Sequence, residues 1–108
     1  MGKLIKSGKI HYVVFAHGAD SHEDDDIGGG CNTKNWLLCA SIFADWVNEI
    51  SEETGKFLPV TLALFGGYRA DNYNAVLDLH IKSLLQCAKI ICQNEVKNEV
   101  VIARKSVR

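Results

Sequence analysis

The sequence lacks the features that mark membrane, secreted and nucleic-acid-binding proteins. No apolar run approaches the roughly 18 residues that a membrane-spanning helix needs. The first ten residues, MGKLIKSGKI, lack the long apolar core of a signal peptide. The net charge is only -1, which gives no general attraction to nucleic acid or to an acidic membrane surface. We therefore expect neither nucleic acid nor a membrane as a partner.

The cysteines also lack the spacing of a structural zinc site. The sequence has four of them, Cys31, Cys39, Cys87 and Cys92, and none belongs to a C-x-x-C pair. Cys39, Cys87 and Cys92 fall within helical patterns, where we predict that they act as small core hydrophobes. Free thiols are typical of a reducing compartment, so the predicted location is cytoplasmic.

Two apolar runs, residues 12–16 and 60–65, predict buried strands. Helical periodicity follows each run, so the predicted order is strand, helix, strand, helix. Such an order implies a right-handed crossover between parallel strands. The predicted fold class is α/β with a small parallel sheet. With 108 residues the chain forms a single partial domain, with a core at about 10–92 and a tail at 93–108.

Capping residues set the predicted helix ends. Asn32 or Thr33 begins the first long helix, Gly55 ends it, and Asp71 or Asn72 begins the second. A short strand is predicted at residues 100–102. Apolar residues at helical spacing give the first long helix a core face, which Leu37, Ile42 and Trp46 widen; its members are Trp36, Ala40, Phe43, Val47 and Ile50.

A sheet of two or three strands with two helices is thin. Parallel strands normally have both faces covered, and this chain can cover only one of them well. We therefore expect either a part of a larger α/β domain or an oligomer that hides the bare face.

The first strand is followed by candidate metal ligands. Asp20 and His22 have D-x-H spacing, which suits zinc or manganese, and His17 could orient a ligand. The alternative is an Asp that caps a turn beside an exposed His. The acidic run 24–26 is typical of a solvated loop for at least two of its members, although one could instead pair with a buried cation or order the loop. His80 is predicted to be a core histidine with its hydrogen bonds satisfied.

The second strand ends in Gly66-Gly67-Tyr68-Arg69. The glycines allow close backbone approach to a ligand. Parallel pairing would bring Tyr68 beside the end of the first strand, where its phenol could donate a hydrogen bond to an oxyanion. A tyrosine that simply packs in the loop is the alternative. Arg69 could pair with an acidic loop residue such as Asp25.

Together these stretches resemble the histone deacetylase and acetoin-utilisation family of the arginase/deacetylase fold. Residues 18–28, GADSHEDDDIG, are similar to that family's G-x-D-x-H-x-D-D-P-L-G segment. Residues 64–68, LFGGY, are similar to its L-E-G-G-Y segment. The two segments occur in the same order, and each follows a predicted strand.

The resemblance implies a zinc-dependent hydrolase of acyl amides, such as acetyl-lysine or acetylated small amines. It implies that Asp20 is a ligand of the catalytic zinc and that Tyr68 polarises the acyl carbonyl. It also implies that Gly66 and Gly67 line the substrate channel. The family's histidine ligand comes from an earlier segment, so the resemblance makes His22 less suited to be a zinc ligand.

The resemblance covers only about the last third of such a domain, judged by ordinary domain sizes. Asp26 stands in place of the usual Pro, and Phe65 replaces Glu. The family's paired histidines and its D-x-H strand have no counterpart here. A catalytic zinc normally has three protein ligands, so missing segments or a companion chain would have to complete the site.

Two other hypotheses stay open at this point. One is a non-catalytic α/β module that forms a homo-oligomer or binds a ligand. The other is a small metal-binding module in which Asp20 and His22 act with a residue across a symmetry axis.

Overall fold

The computed structural model describes the backbone of residues 1–106 and the side chains of residues 1–93. The chain is mixed α/β, with a two-stranded parallel sheet and, among the described residues, three α-helices. In chain order the elements are α1 (Gly2–Lys6), β1 (Val13–Gly18), a 3₁₀ turn (Ala19–Ser21), α2 (Thr33–Thr54), β2 (Val60–Phe65) and α3 (Tyr73–Ser106).

The predicted helix ends are confirmed for α2. The side chain of Asn32 accepts a hydrogen bond from the backbone N–H of Asn35 at 2.9 Å, which caps the helix start. Gly55 ends the helix in the left-handed conformation, with a φ of 68°. At the start of α3, the Asn72 side chain accepts from the N–H of Ala75 at 3.2 Å.

The two strands pair in parallel from Val13 opposite Val60 to Gly18 opposite Phe65. Because side chains alternate along a strand, one face of the sheet carries Phe15 and Leu62. Both of these contact a buried cluster formed by Ala40 and Ala44 of α2 and Cys87 of α3. Both long helices therefore pack on the same face of the sheet.

The other face of the sheet is bare, as the sequence predicts. Val14 is 55% exposed and Phe65 is 55% exposed, and Ala16 and Thr61 are also exposed. Two helices are too few to cover both faces of a parallel sheet.

Several predictions about the helices and their core faces are wrong. Residues 100–102 continue α3 instead of forming a strand, since no glycine or proline interrupts the chain after Gly67. Cys39 and Cys92 are exposed, whereas Cys87 is buried as predicted. Ile42 is 60% exposed, because α2 packs against a single layer and its apolar face is wider than that contact.

No described helix is long and apolar enough to cross a membrane.

Candidate functional site

Parallel pairing of the strands brings the two sequence motifs together. Asp20 lies in the 3₁₀ turn that follows β1, and Gly66 directly follows β2. A Cβ atom on Gly66 would lie 2.8 Å from the backbone nitrogen of Asp20 and closer still to the Asp20 carboxylate. Gly66 also has a φ of 67°, which side-chain-bearing residues rarely adopt. Glycine at this position therefore makes the close approach of the two loops possible.

The Asp20 carboxylate lies against the backbones of Gly18 and Gly66 and is exposed to solvent. No hydrogen-bond donor of the described side chains or backbone binds it; the neighbouring Ser21 hydroxyl donates instead to the Gly18 carbonyl at 2.8 Å. The oxygens of Asp20 are thus open to a ligand that approaches from the sheet edge.

His22 is 4% exposed and has both ring nitrogens engaged. Its Nδ1 accepts a hydrogen bond from the backbone N–H of Asp24 at 3.2 Å. Since an amide N–H can only donate, the proton of the neutral ring lies on Nε2, which donates to the Thr33 hydroxyl at 2.8 Å. His22 therefore ties the loop to the start of α2 and leaves no free nitrogen for a metal. The alternative of an exposed His22 is wrong.

His17 lies beneath this loop, within a stack of aromatic rings. Its imidazole stacks on Trp36 with ring centroids 4.0 Å apart and on Phe15 at 5.0 Å. Its Nδ1 is 3.3 Å from the hydroxyl of Ser83 on α3. His17 therefore joins β1 to both long helices.

His80 is buried, as predicted, but its hydrogen bonds are not satisfied. It is 7% exposed and meets Trp36 edge-on, with ring centroids 6.2 Å apart. Its Nδ1 has no hydrogen-bond partner among the described residues. Burial lowers the pKa of the nearby His17 below its usual 6.5, and the proximity of His80 lowers this pKa further.

The lowered pKa of His17 predicts that the chain becomes less stable in mild acid. Because the pKa of His17 is lower in the folded chain, the unfolded chain takes up the proton first as pH falls below about 6.5. The free energy of unfolding should therefore fall with pH from there and level off below the folded pKa. Urea midpoints measured between about pH 7.5 and about pH 5.5 test this. His17→Phe keeps a stacked ring and should weaken the dependence, while His11→Phe, at an exposed histidine, should not. If the free energy of unfolding depends equally on pH in both variants, His17 is not the cause of the acid sensitivity.

The acidic run holds the loop that carries Tyr68. Oδ2 of Asp25 accepts the backbone N–H of Tyr68 at 2.7 Å, and Oδ1 accepts that of Ile27 at 2.9 Å. The backbone N–H of Asp26 donates to the carbonyl of Tyr68 at 3.0 Å, and its carboxylate accepts the N–H of Ala70 at 3.0 Å. Asp24 and Asp26 are exposed, as predicted for at least two members of the run, and Asp25 is the buried member that orders the loop.

Tyr68 itself is 56% exposed, and its ring is not packed into the loop. Gly66 and Gly67 precede it, with φ values of 67° and 96°, so the chain turns sharply between β2 and Tyr68. The phenol is therefore free to meet a bound molecule at this edge of the sheet.

Arg69 pairs with an acidic loop residue, as predicted, but that residue is Asp24 and not Asp25. Its guanidinium donates to Asp71 through Nε at 3.0 Å and lies 3.7 Å from Asp24. The hydrogen bond to Asp71 raises the pKa of Arg69, and the same bond lowers the pKa of Asp71. Asp25 instead accepts the backbone N–H groups of Ile27 and Tyr68, one on each oxygen.

Asp20 has no group of further metal ligands beside it among the described side chains. In the part of the chain with described side chains, no three His, Cys, Asp or Glu residues are grouped so that they could bind a metal. Asp20 alone is one ligand, whereas a catalytic zinc needs three from protein. A zinc centre here would need further ligands from outside the described residues.

Sequence reasoning missed three residues that support this site. The Trp36 indole donates to the Gly18 carbonyl at 3.3 Å, Thr33 holds His22, and Ser83 holds His17. Ser83 lies three residues after His80 on the same helix, so shared helical spacing was a usable signal. The contacts of Thr33 and Trp36 depend on the path of the intervening loop.

Comparison of the chain with protein-family models, with curated proteins and with solved structures gave no match.

Proposed function

We propose that this chain is the C-terminal portion of a zinc-dependent, deacetylase-like amide hydrolase of the arginase/deacetylase fold. The supporting observation is the contact between its two motifs. Asp20 packs against Gly66, two residues before Tyr68, at the carboxyl edge of a parallel sheet. This edge is where ligands bind in open α/β sheets.

In this proposal the chain contributes an exposed carboxylate and a phenol to one site. Asp20 is one of the zinc ligands, and Tyr68 donates a hydrogen bond to the acyl oxygen as negative charge develops on it. Gly66 and Gly67 line the channel, and the missing side chain of Gly66 lets the Asp20 carboxylate pack against its backbone. The substrate is an acyl amide such as acetyl-lysine or an acetylated small amine.

The other ligands and the general base belong to segments outside this chain or to a companion chain. The 108-residue chain is therefore expected to be inactive alone. The proposed location is the cytoplasm, where thiols stay reduced.

The test is to sequence the coding region upstream of Met1, to search for a companion chain, and to express the joined protein. The joined protein should hydrolyse an acetyl-lysine peptide, and Tyr68→Phe should lower kcat by about 10²–10³-fold, the usual cost of one lost oxyanion donor. Tyr73→Phe is the matched control, since Tyr73 is similarly exposed, at 63%, at the start of α3.

The proposal fails if no upstream segment or companion supplies a D-x-H and a paired-histidine motif. It also fails if Tyr68→Phe leaves kcat unchanged in the joined protein. In that case a second candidate function stands, namely a non-catalytic α/β module that forms a homo-oligomer. The bare sheet face, with Val14 and Phe65 both 55% exposed, favours this candidate.

A further inference from the structure

The carboxylate of Asp25 is unlike those of its neighbours in the acidic run. Asp25 is 9% exposed, whereas the side chain of Asp24 is 61% exposed. Burying a charged carboxylate is costly unless it is paired or hydrogen-bonded. Asp25 meets this cost with two backbone N–H groups, one from its own loop at Ile27 and one from the opposite loop at Tyr68.

The polar backbone groups of Tyr68 are both occupied by the acidic run. Its N–H donates to Asp25 at 2.7 Å, and its carbonyl accepts from the N–H of Asp26 at 3.0 Å. The next bond along the loop is from the Ala70 N–H to the Asp26 carboxylate at 3.0 Å. Hydrogen bonds to ionised groups are the stronger kind. The backbone on both sides of the Tyr68 side chain is therefore fixed.

The other described contacts of this loop lie on either side of Tyr68, such as that of Arg69 with Asp24 at 3.7 Å. The loop lies between the end of β2 at Phe65 and the start of α3 at Tyr73, outside both elements. Two glycines with positive φ begin it, and glycine has the largest backbone freedom. The contact of Gly67 with the Val76 side chain fixes the loop before Tyr68 but not at it.

We propose that Asp25 is a positioning residue, whose carboxylate holds the backbone of Tyr68 so that the phenol meets the substrate beside Asp20. The role of the phenol rests on the proposed function. The hydrogen bonds from the Tyr68 backbone to Asp25 and Asp26, which we call the clamp, do not depend on it. Asp26 supports the same clamp from the exposed side.

The test uses the isotope-labelled chain, without metal or substrate. Asp25→Asn keeps the size of the side chain but leaves one acceptor oxygen in place of two. Hydrogen exchange at the Tyr68 amide should become about tenfold faster or more, given the usual strength of a bond to a charged group. The amide proton resonance of Tyr68 should move upfield as its bond to the carboxylate is lost.

Two controls separate a positioning role from general destabilisation. Exchange at the amide of Val47, a fully buried residue inside α2, should stay unchanged, whereas global opening would accelerate it as well. Glu23→Gln removes one charge from the same exposed loop, and no described residue bonds the Glu23 side chain, so it should leave Tyr68 unchanged. If Asp25→Asn does not fold, Asp26→Asn, at an exposed carboxylate, should accelerate exchange at Ala70 alone.

Unchanged exchange and an unmoved Tyr68 resonance in Asp25→Asn would overturn the clamp, whatever the chain's function. In the joined hydrolase, Asp25→Asn should lower kcat and leave KM unchanged. A faster Tyr68 amide with an unaltered kcat would uphold the clamp and overturn its role in positioning the phenol. The exchange result therefore stands or falls separately from the hydrolase proposal.

Discussion

Trp36→Ala is expected to lower the free energy of unfolding by about 3–5 kcal/mol, the usual cost of removing a large buried aromatic side chain. Trp36 has no exposed surface and packs with Ala19 and Val76. It also stacks on His17 and donates to the Gly18 carbonyl. The Trp36 side chain, near the start of α2, thus joins β1, the 3₁₀ turn and α3. Its loss should therefore loosen the packing around the 3₁₀ turn that carries Asp20.

Urea unfolding followed by circular dichroism measures this cost without using tryptophan emission. Trp46→Ala is the matched control, because Trp46 lies on the same helix but is only partly buried. Trp46→Ala should lower the free energy of unfolding clearly less than Trp36→Ala does. Trp36→Phe keeps a ring beside His17 and loses the hydrogen bond to Gly18. Its loss in the free energy of unfolding should therefore lie between those of Trp46→Ala and Trp36→Ala. Equal losses at the two tryptophans would contradict the central role of Trp36.

Local chemistry made the long elements predictable from sequence. The oxygen of Asn32 and the left-handed freedom of Gly55 act within one helical turn, so the ends of α2 follow from a few adjacent residues. Strand β2 likewise follows from a continuous apolar run between Pro59 and Gly66. The end of β1 differs from the prediction. It extends to Gly18, beyond the predicted Ala16, because Gly18 pairs with Phe65 and local sequence does not encode that partner.

The shared sheet edge of the candidate residues was predictable from sequence, but their contacts were not. Strand order placed Asp20 and the loop of Tyr68 at one sheet edge, since carboxyl ends of parallel strands share an edge. Which carboxylate binds which group was not predictable. Asp24, Asp25 and Asp26 are identical in chemistry, and only the loop's path decides that Asp25 is buried under Tyr68 while Asp24 faces Arg69.

The bare sheet face is also predictable in its position but not in its contacts. The sequence predicts that it exists, because two helices cannot cover two faces of a parallel sheet. The sequence does not specify what covers Val14 and Phe65, because this depends on chain segments or partners that local patterns do not identify.

Gly66→Ala is expected to be the most damaging change within the site itself. A left-handed conformation costs a residue with a side chain about 1–2 kcal/mol. The added methyl group would also collide with the backbone nitrogen of Asp20, 2.8 Å away, and with its carboxylate. Overpacking of this kind typically costs about 1–3 kcal/mol, so the total is about 2–5 kcal/mol.

Gly55→Ala provides a control with the same backbone geometry. Gly55 has a φ of 68°, close to the 67° of Gly66, but an added Cβ would meet open space. The difference between the two variants in urea unfolding therefore measures the collision with Asp20 apart from the backbone strain. The double variant Asp20→Gly/Gly66→Ala should recover part of the loss, since the carboxylate is removed and the contact with the backbone nitrogen remains. Equal costs for Gly55→Ala and Gly66→Ala would mean that the two loops are farther apart than the structure has them. The contact that supports a shared site for Asp20 and Tyr68 would then be lost.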